Sequence, residues 1–260
     1  MVDLLCMKLK EWDSDKEHNP RVAMMSGTGD RAFSAGGDLV SIYNGYIGKA
    51  GFDTSTSAKY FADEYLQDYQ LAQMRPIQIS LWNGITMGGG VGVSCQAPIR
   101  VATEKTLFAM PETGIGFFAD LGGSYFLSRL NNNVSLGLYL GLTGHRLKAQ
   151  ELLQWGVATH YVPLEKLDIL RQDIINNVTQ ATSIEQLTGI VNSHSDSSAG
   201  QEPIPNLKEI NSYFTTNGTV HDLYRNLQTS NSNFAQTTLQ KLNLMSPLSV
   251  GIVFEQIKRG

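Results

Sequence analysis

The chain has 260 residues, 42% of them hydrophobic and 17% charged, with a formal net charge of -4. That length buries a large core, the mild acidity offers no basic surface to a nucleic-acid backbone, and no apolar run approaches the roughly 20 residues that span a bilayer. The two cysteines, Cys6 and Cys95, have no His or Cys at metal-ligand spacing and read as buried free thiols of a reducing compartment; neither a metal nor another cofactor is expected.

Residues 2–13 set Leu4, Leu5, Met7, Leu9 and Trp12 among charged side chains in a helical pattern that ends before Asn19-Pro20. The segment lacks the form of a signal or transit peptide. Residues 21–27 read as a buried strand closed by a turn. The first glycine-rich turn follows, Phe33-Ser34-Ala35-Gly36-Gly37-Asp38, with Asp38 as N-cap of a helix over 39–46. Gly45, Gly48 and Gly51 then break regularity, and residues 48–57 read as a mobile loop. Residues 57–73 form an amphipathic helix with Tyr60, Phe61, Tyr65, Tyr69 and Leu71 on or near its buried stripe.

A strand over 76–82 enters the second turn, Asn83-Gly84-Ile85-Thr86-Met87-Gly88-Gly89-Gly90-Val91-Gly92. Its glycines let a helix over 88–96 lie close to that strand. Short strands over 99–103 and 106–109 flank Glu104-Lys105. Helices follow over 125–130, 134–142 and 148–155, the last stopped by Gly156, before a short strand over 160–162. From Leu164 the strand signals cease, and helices read over 165–179, 184–192, 206–214, 220–228 and 234–244. The pattern is α/β repeats over 1–163 followed by a helical region over 164–260.

Two such turns side by side can aim two backbone N–H groups, those of Gly37 and Gly89, at a single oxygen, which is the architecture of an oxyanion hole. Gly89 would do so from a helix start, where the dipole also favours negative charge. Glu112 follows Pro111 amid Phe108, Met110, Ile115 and Phe117, a context that raises a carboxyl unless it is hydrogen-bonded. Asp120 sits among Phe117, Phe118 and Leu121, where an acid needs a partner. Plainer readings stand beside these: tight strand–helix packing for the glycines, a surface turn for Glu112, and an exposed helix face for Glu64. The second turn lacks both the dinucleotide spacing and the Lys-Ser/Thr ending of a phosphate loop. There is no Gly-x-Ser-x-Gly elbow, and His18, His145, His160, His194 and His221 are scattered. Oxyanion donors near a carboxylate point to acyl chemistry on a thioester or similar carbonyl.

Ala32-Phe33-Ser34-Ala35-Gly36-Gly37-Asp38, the second glycine turn and Phe108-Ala109-Met110-Pro111-Glu112-Thr113-Gly114-Ile115-Gly116 together resemble the crotonase (enoyl-CoA hydratase/isomerase) superfamily. Its 3-hydroxyisobutyryl-CoA hydrolase branch is the most similar. Arg100-Val101-Ala102-Thr103-Glu104-Lys105, Leu142-Thr143-Gly144-His145-Arg146-Leu147-Lys148, Gly156-Val157-Ala158-Thr159-His160 and Met245-Ser246-Pro247 extend the resemblance along the chain.

The resemblance implies a crotonase-like spiral of ββα units, an acyl-CoA substrate, a place in valine breakdown and a mitochondrial matrix location. It implies that Gly37 and Gly89 hold the thioester oxygen. Glu112 would attack the acyl carbon or activate water, Asp120 would engage the substrate's 3-hydroxyl or position water, and Glu64 would line the substrate pocket. Gly92 stands where the hydratases carry a second catalytic glutamate, so hydrolysis is favoured over hydration. Ala119 departs from the proline usual before the second acid. The resemblance also places family strands before residue 1 and helical segments after residue 260, implying a homo-oligomer or a completing partner chain. A competing reading is a structural subunit of a mitochondrial assembly such as the mitochondrial ribosome.

Overall fold

The computed structural model describes residues 2–14, 19–51 and 56–260. His18 and residues 52–55 of the loop expected over 48–57 lie outside the described residues.

Among the described residues eight strands form two four-stranded sheets: β1 (Val22–Ser26), β2 (Ala32–Ser34), β3 (Ile77–Trp82), β4 (Ile85–Met87), β5 (Ile99–Ala102), β6 (Leu107–Ala109), β7 (Leu147–Lys148) and β8 (His160–Tyr161). One sheet has the order β1-β3-β5-β8 and is parallel throughout. The other runs β2-β4-β6-β7, with only β7 antiparallel. From β1 to β6 consecutive strands alternate between sheets, so the chain winds as a spiral that gives one strand to each sheet per turn; β7 then pairs back on β6 and β8 returns to the first sheet. Gly84 makes one of the corners. Its φ is +87°, and a Cβ there would lie 2.4 Å from the Arg31 carbonyl oxygen, so only glycine passes.

The helices are α1 (Val2–Ser14), α2 (Leu39–Tyr46), α3 (Thr56–Gln73), α4 (Gly89–Cys95), α5 (Gly123–Leu127), α6 (Val134–Thr143) and α7 (Glu151–Gln154). Past the last strand come α8 (Leu164–Asn177), α9 (Ile184–His194), α10 (Leu207–Tyr213), α11 (Val220–Thr229), α12 (Asn233–Leu242) and α13 (Pro247–Arg259), while Glu112–Ile115 and Leu130–Asn132 are 3₁₀ turns. Among the described residues no helix is long and apolar enough to cross a membrane.

Two apolar clusters hold these layers. Ile79, Leu81, Ile99 and Val101 of the first sheet pack with Leu167, Leu170 and Ile174 of α8 and Leu187 and Val191 of α9. Trp82 and Phe108 join Leu138, Leu140 and Leu142 of α6 and Val253, Phe254 and Ile257 of α13. The C-terminal helices therefore share both cores with the sheets. Parallel strands covered on both faces read as continuous apolar runs, which is why β3 and β5 were legible.

Several elements differ from the sequence expectation. β2 and β4 overlap segments read as glycine turns, because the glycines beside them mask so short a run. The helix expected over 148–155 shrinks to α7: Lys148 pairs in β7, and its amide donates to Glu151 Oε2 at 2.8 Å. α13 was not expected, although Ser246 caps it by accepting from the Ser249 amide and Pro247 occupies its first turn. Tyr65 and Tyr69, expected near the buried stripe of α3, are 42% and 65% exposed. Asp38 does cap α2, accepting from the Ser41 amide at 3.1 Å and from its hydroxyl at 2.7 Å.

Candidate active site

The two glycine turns end β2 and β4, neighbouring parallel strands, so they emerge side by side. Gly36, with φ +94°, would place a Cβ 3.1 Å from the Gly89 nitrogen, and a Cβ on Gly89 would lie 3.6 Å from the Gly36 Cα. The turns touch because neither carries a side chain there. Helix α3 supports both: a Cβ on Gly37 would lie 2.3 Å from the Tyr60 hydroxyl, and one on Gly89 2.9 Å from Glu64 Oε1. Gly89 opens α4, so its amide is one of the helix's orphan donors. Neither the Gly37 nor the Gly89 amide donates to another described residue.

A cavity of about 380 Å³ opens at this point, lined by Gly37, Gly89, Tyr60, Glu64, Glu112, Phe117 and Asp120 among others. All five residues singled out in the sequence meet there: Gly37, Gly89, Glu64, Glu112 and Asp120. Glu112 begins the 3₁₀ turn that follows β6. That turn is closed by Gly116 in the left-handed region and by the Phe117 amide donating to the Glu112 carbonyl at 2.9 Å. From the other side the Ser246 amide donates to the Thr113 carbonyl at 2.9 Å, so Met245-Ser246-Pro247 pins the turn to the start of α13. Phe117 stacks between Phe61 of α3 and Phe118, with ring centroids 5.6 and 4.6 Å away, and walls the cavity with apolar surface.

Burial sets the electrostatics. Glu112 is only 6% exposed and its Oε2 has no partner among the described residues. Its carboxyl is pushed up to about 7, first by burial and then by the Asp120 charge, against a backbone hydrogen bond that lowers it. Asp120 is raised by burial and held back by the Tyr65 hydroxyl, which donates to Oδ2 at 3.1 Å. Glu64 is likewise raised by burial, while the Tyr60 hydroxyl, 2.8 Å from Oε1, opposes the rise and the Asp120 and Asp68 charges add to it. Asp68, one turn further along α3, is pushed up to about 6 by burial and by Asp120.

Sequence reasoning missed Tyr60, Tyr65 and Asp68. The spacing was available: positions 60, 64 and 68 fall on one face of a helix, but a tyrosine in an amphipathic stripe reads first as core. The described histidines stay outside the cavity lining. His145 is lowered by burial against Tyr139 and Trp155, and His194 pairs with Asp173 across α8 and α9 at 2.8 Å. Among the described residues no group of three or more His, Cys, Asp or Glu could hold a metal ion.

At Gly92, a Cβ would lie 2.4 Å from the Leu121 Cβ. Leu121, with φ +48°, fills the space beside α4 where a longer residue at position 92 would project. The site has amide donors and a bare carboxyl, and no second acid on α4.

Residues 1–260 match the family model for enoyl-CoA hydratase/isomerase. The chain belongs to this family. Among curated members, the mitochondrial 3-hydroxyisobutyryl-CoA hydrolases of Xenopus laevis and Homo sapiens are 40% and 38% identical over 265 residues, covering all of this chain and 66% of their own length. That of Dictyostelium discoideum is 40% identical over 268 residues, all of this chain and 68% of its own. The chain thus spans about two thirds of the length of these relatives. Among solved members, a carnitinyl-CoA dehydratase from Mycobacterium thermoresistibile superposes with a TM-score of 0.81 at 31% identity, over 99% of this chain and 71% of that one. An enoyl-CoA hydratase from Rhodobacter sphaeroides superposes with a TM-score of 0.80 at 27% identity, over all of this chain and 71% of that one. The family's crotonase-like spiral is the fold described above.

Proposed function

We propose that the protein is an acyl-CoA thioester hydrolase that converts 3-hydroxyisobutyryl-CoA and water to 3-hydroxyisobutyrate and free CoA. The observation that carries this reading is one buried carboxyl, Glu112, with one oxygen unpartnered, in the same cavity as two unengaged backbone amides. The hydrolase names of the curated relatives support the substrate, and the absence of a side chain at Gly92 favours hydrolysis over hydration.

In this reading the Gly37 and Gly89 amides hold the thioester oxygen as negative charge develops on it. Ionised Glu112 either attacks the acyl carbon, giving an anhydride that water opens, or takes the proton of an attacking water. Both routes break the C–S bond, and the thiolate leaves as CoA with a proton from the site. Asp120 and Glu64 offer acceptors for the 3-hydroxyl or the water. The names of the relatives favour a mitochondrial location, and the family resemblance adds the matrix and a place in valine breakdown.

The test is thiol release from 3-hydroxyisobutyryl-CoA, followed beside hydration of an unsaturated acyl-CoA. The expected result is thiol release by the wild type and hydration below detection. Hydration with the thioester left intact would overturn the hydrolase assignment. In a single turnover in oxygen-18 water, label found in Glu112 would show that its carboxylate had attacked carbon and that water had opened the anhydride at the glutamyl carbonyl.

A further inference from the structure

The backbone bonds that hold the Asp120 loop are short-range. The Asp120 amide donates to the Phe118 carbonyl at 2.9 Å, and its carbonyl accepts from the Gly123 amide at 2.7 Å. The next two residues, Leu121 and Gly122, both have left-handed φ, at +48° and +77°. Position 119, expected from the resemblance to be proline, is alanine, so φ is not locked there. Among the described residues one side chain donates to the Asp120 carboxyl: the Tyr65 hydroxyl, 3.1 Å from Oδ2. Oδ1 keeps no such partner.

Tyr65 reaches this point from α3. Its ring leans on Phe61 at 6.2 Å, and Phe61 stacks on Phe117 of the same loop. The Asp120 charge raises the carboxyls of Glu64, Asp68 and Glu112. A hydrogen-bond donor to one oxygen of a carboxylate favours one orientation of the group. Tyr65 is 42% exposed, which is unusual for a residue whose only role is core packing.

We propose that Tyr65 is a positioning residue: its phenol holds Asp120 Oδ2 and so leaves Oδ1 aimed into the cavity to receive the substrate's hydroxyl or the reacting water. The inference rests on the hydrolase reading for its catalytic consequence, but the contact itself is testable without turnover. Tyr65 acts only through Asp120 and touches no reacting atom. A hydrogen bond to a charged group contributes enough to change a rate by about tenfold to a hundredfold when lost.

Two measurements test it. Tyr65→Phe keeps the ring against Phe61 and removes only the hydroxyl. Its kcat is expected to fall about tenfold to a hundredfold with KM changed less than about threefold. In an Asp120→Ala background the same substitution should have no further effect on the residual rate, the signature of two groups acting as one. An equal loss in both backgrounds would show a structural role and overturn the proposal. The second measurement is independent of activity. The Tyr65 phenol is pushed up to about 12 by burial, the Asp120 charge and their hydrogen bond. Ultraviolet titration of the intact chain, with Tyr65→Phe to identify the signal, should show its midpoint fall in Asp120→Ala. An unchanged midpoint would overturn the contact whatever the substrate proves to be, whereas a shifted midpoint in a protein that releases no thiol would retain the contact and discard the hydrolase reading.

Discussion

Glu112→Gln is expected to lower kcat for thioester cleavage by a factor of about 10² to 10⁴ while making the folded chain more stable above pH 7. Both effects have one origin. The carboxyl is buried with one oxygen unpartnered, and its proton is held to about pH 7. The reactive form is the carboxylate, so wild-type kcat should rise with pH through about 7 and then level off. Folding favours the protonated form. Below the ordinary glutamate range the folded and unfolded chains both carry the proton, and ionisation imposes no penalty. Between that range and about 7 the unfolded chain gives up its proton first, so stability falls as pH rises. Above 7 the full penalty applies, of the order of about 3 kcal/mol for a shift of this size. Glutamine cannot ionise and escapes it. The gain in melting temperature should therefore be largest at pH 8, shrink as pH falls and vanish near pH 4. A constant gain at every pH would show that burial of the charge is not its cause.

Gly92→Ala is expected to be the more damaging of two changes that look mild. A single methyl at this position meets the Leu121 Cβ at 2.4 Å and its Cδ1 at 2.7 Å. The first is the rigid root of a side chain, so the backbone must give. Overpacking of this kind costs typically about 1–3 kcal/mol. The loop that yields is the one carrying Asp120, and a displacement of about 1 Å can reduce a rate a hundredfold. A lowered melting temperature together with a loss in kcat of that order is the expected outcome. Gly189→Ala is the control, because a Cβ there meets nothing within 4 Å, and as a glycine within α9 it should gain slightly from the change. Equal behaviour of the two variants would mean that Leu121 does not brace α4. The same contact explains why a glutamate placed at position 92 would not convert the site to hydration: Leu121 occupies the path that its side chain would need.

The parts of this account legible in the sequence were those fixed by local chemistry. The glycine turns announced a close backbone approach, and Gly36 and Gly89 are indeed in contact. Asp38 read as a cap and is one. β3 and β5 stood out as apolar runs, and the helices after Leu164 showed their periodicity without competition from strands. Of the short strands, β6 and β8 were legible, whereas β2, β4 and β7 were not: these are set by pairing with distant partners rather than by their own two or three residues. The tyrosines of α3 were misread for a related reason. A Tyr on an amphipathic helix looks the same whether its hydroxyl is idle or holds an acid 55 residues away, as Tyr65 does. The clustering of Glu64, Asp68, Glu112 and Asp120 exists only once α3 is laid against the 3₁₀ turn and the loop after it.

The central claim is that the thioester carbonyl lodges between the Gly37 and Gly89 amides with Glu112 facing its carbon. A crystal structure of Glu112→Gln with 3-hydroxyisobutyryl-CoA bound tests it most directly. The account predicts the acyl oxygen within hydrogen-bond distance of both amides and the residue 112 side chain against the acyl carbon. An acyl oxygen bound elsewhere, or a residue 112 side chain turned away from that carbon, would contradict it.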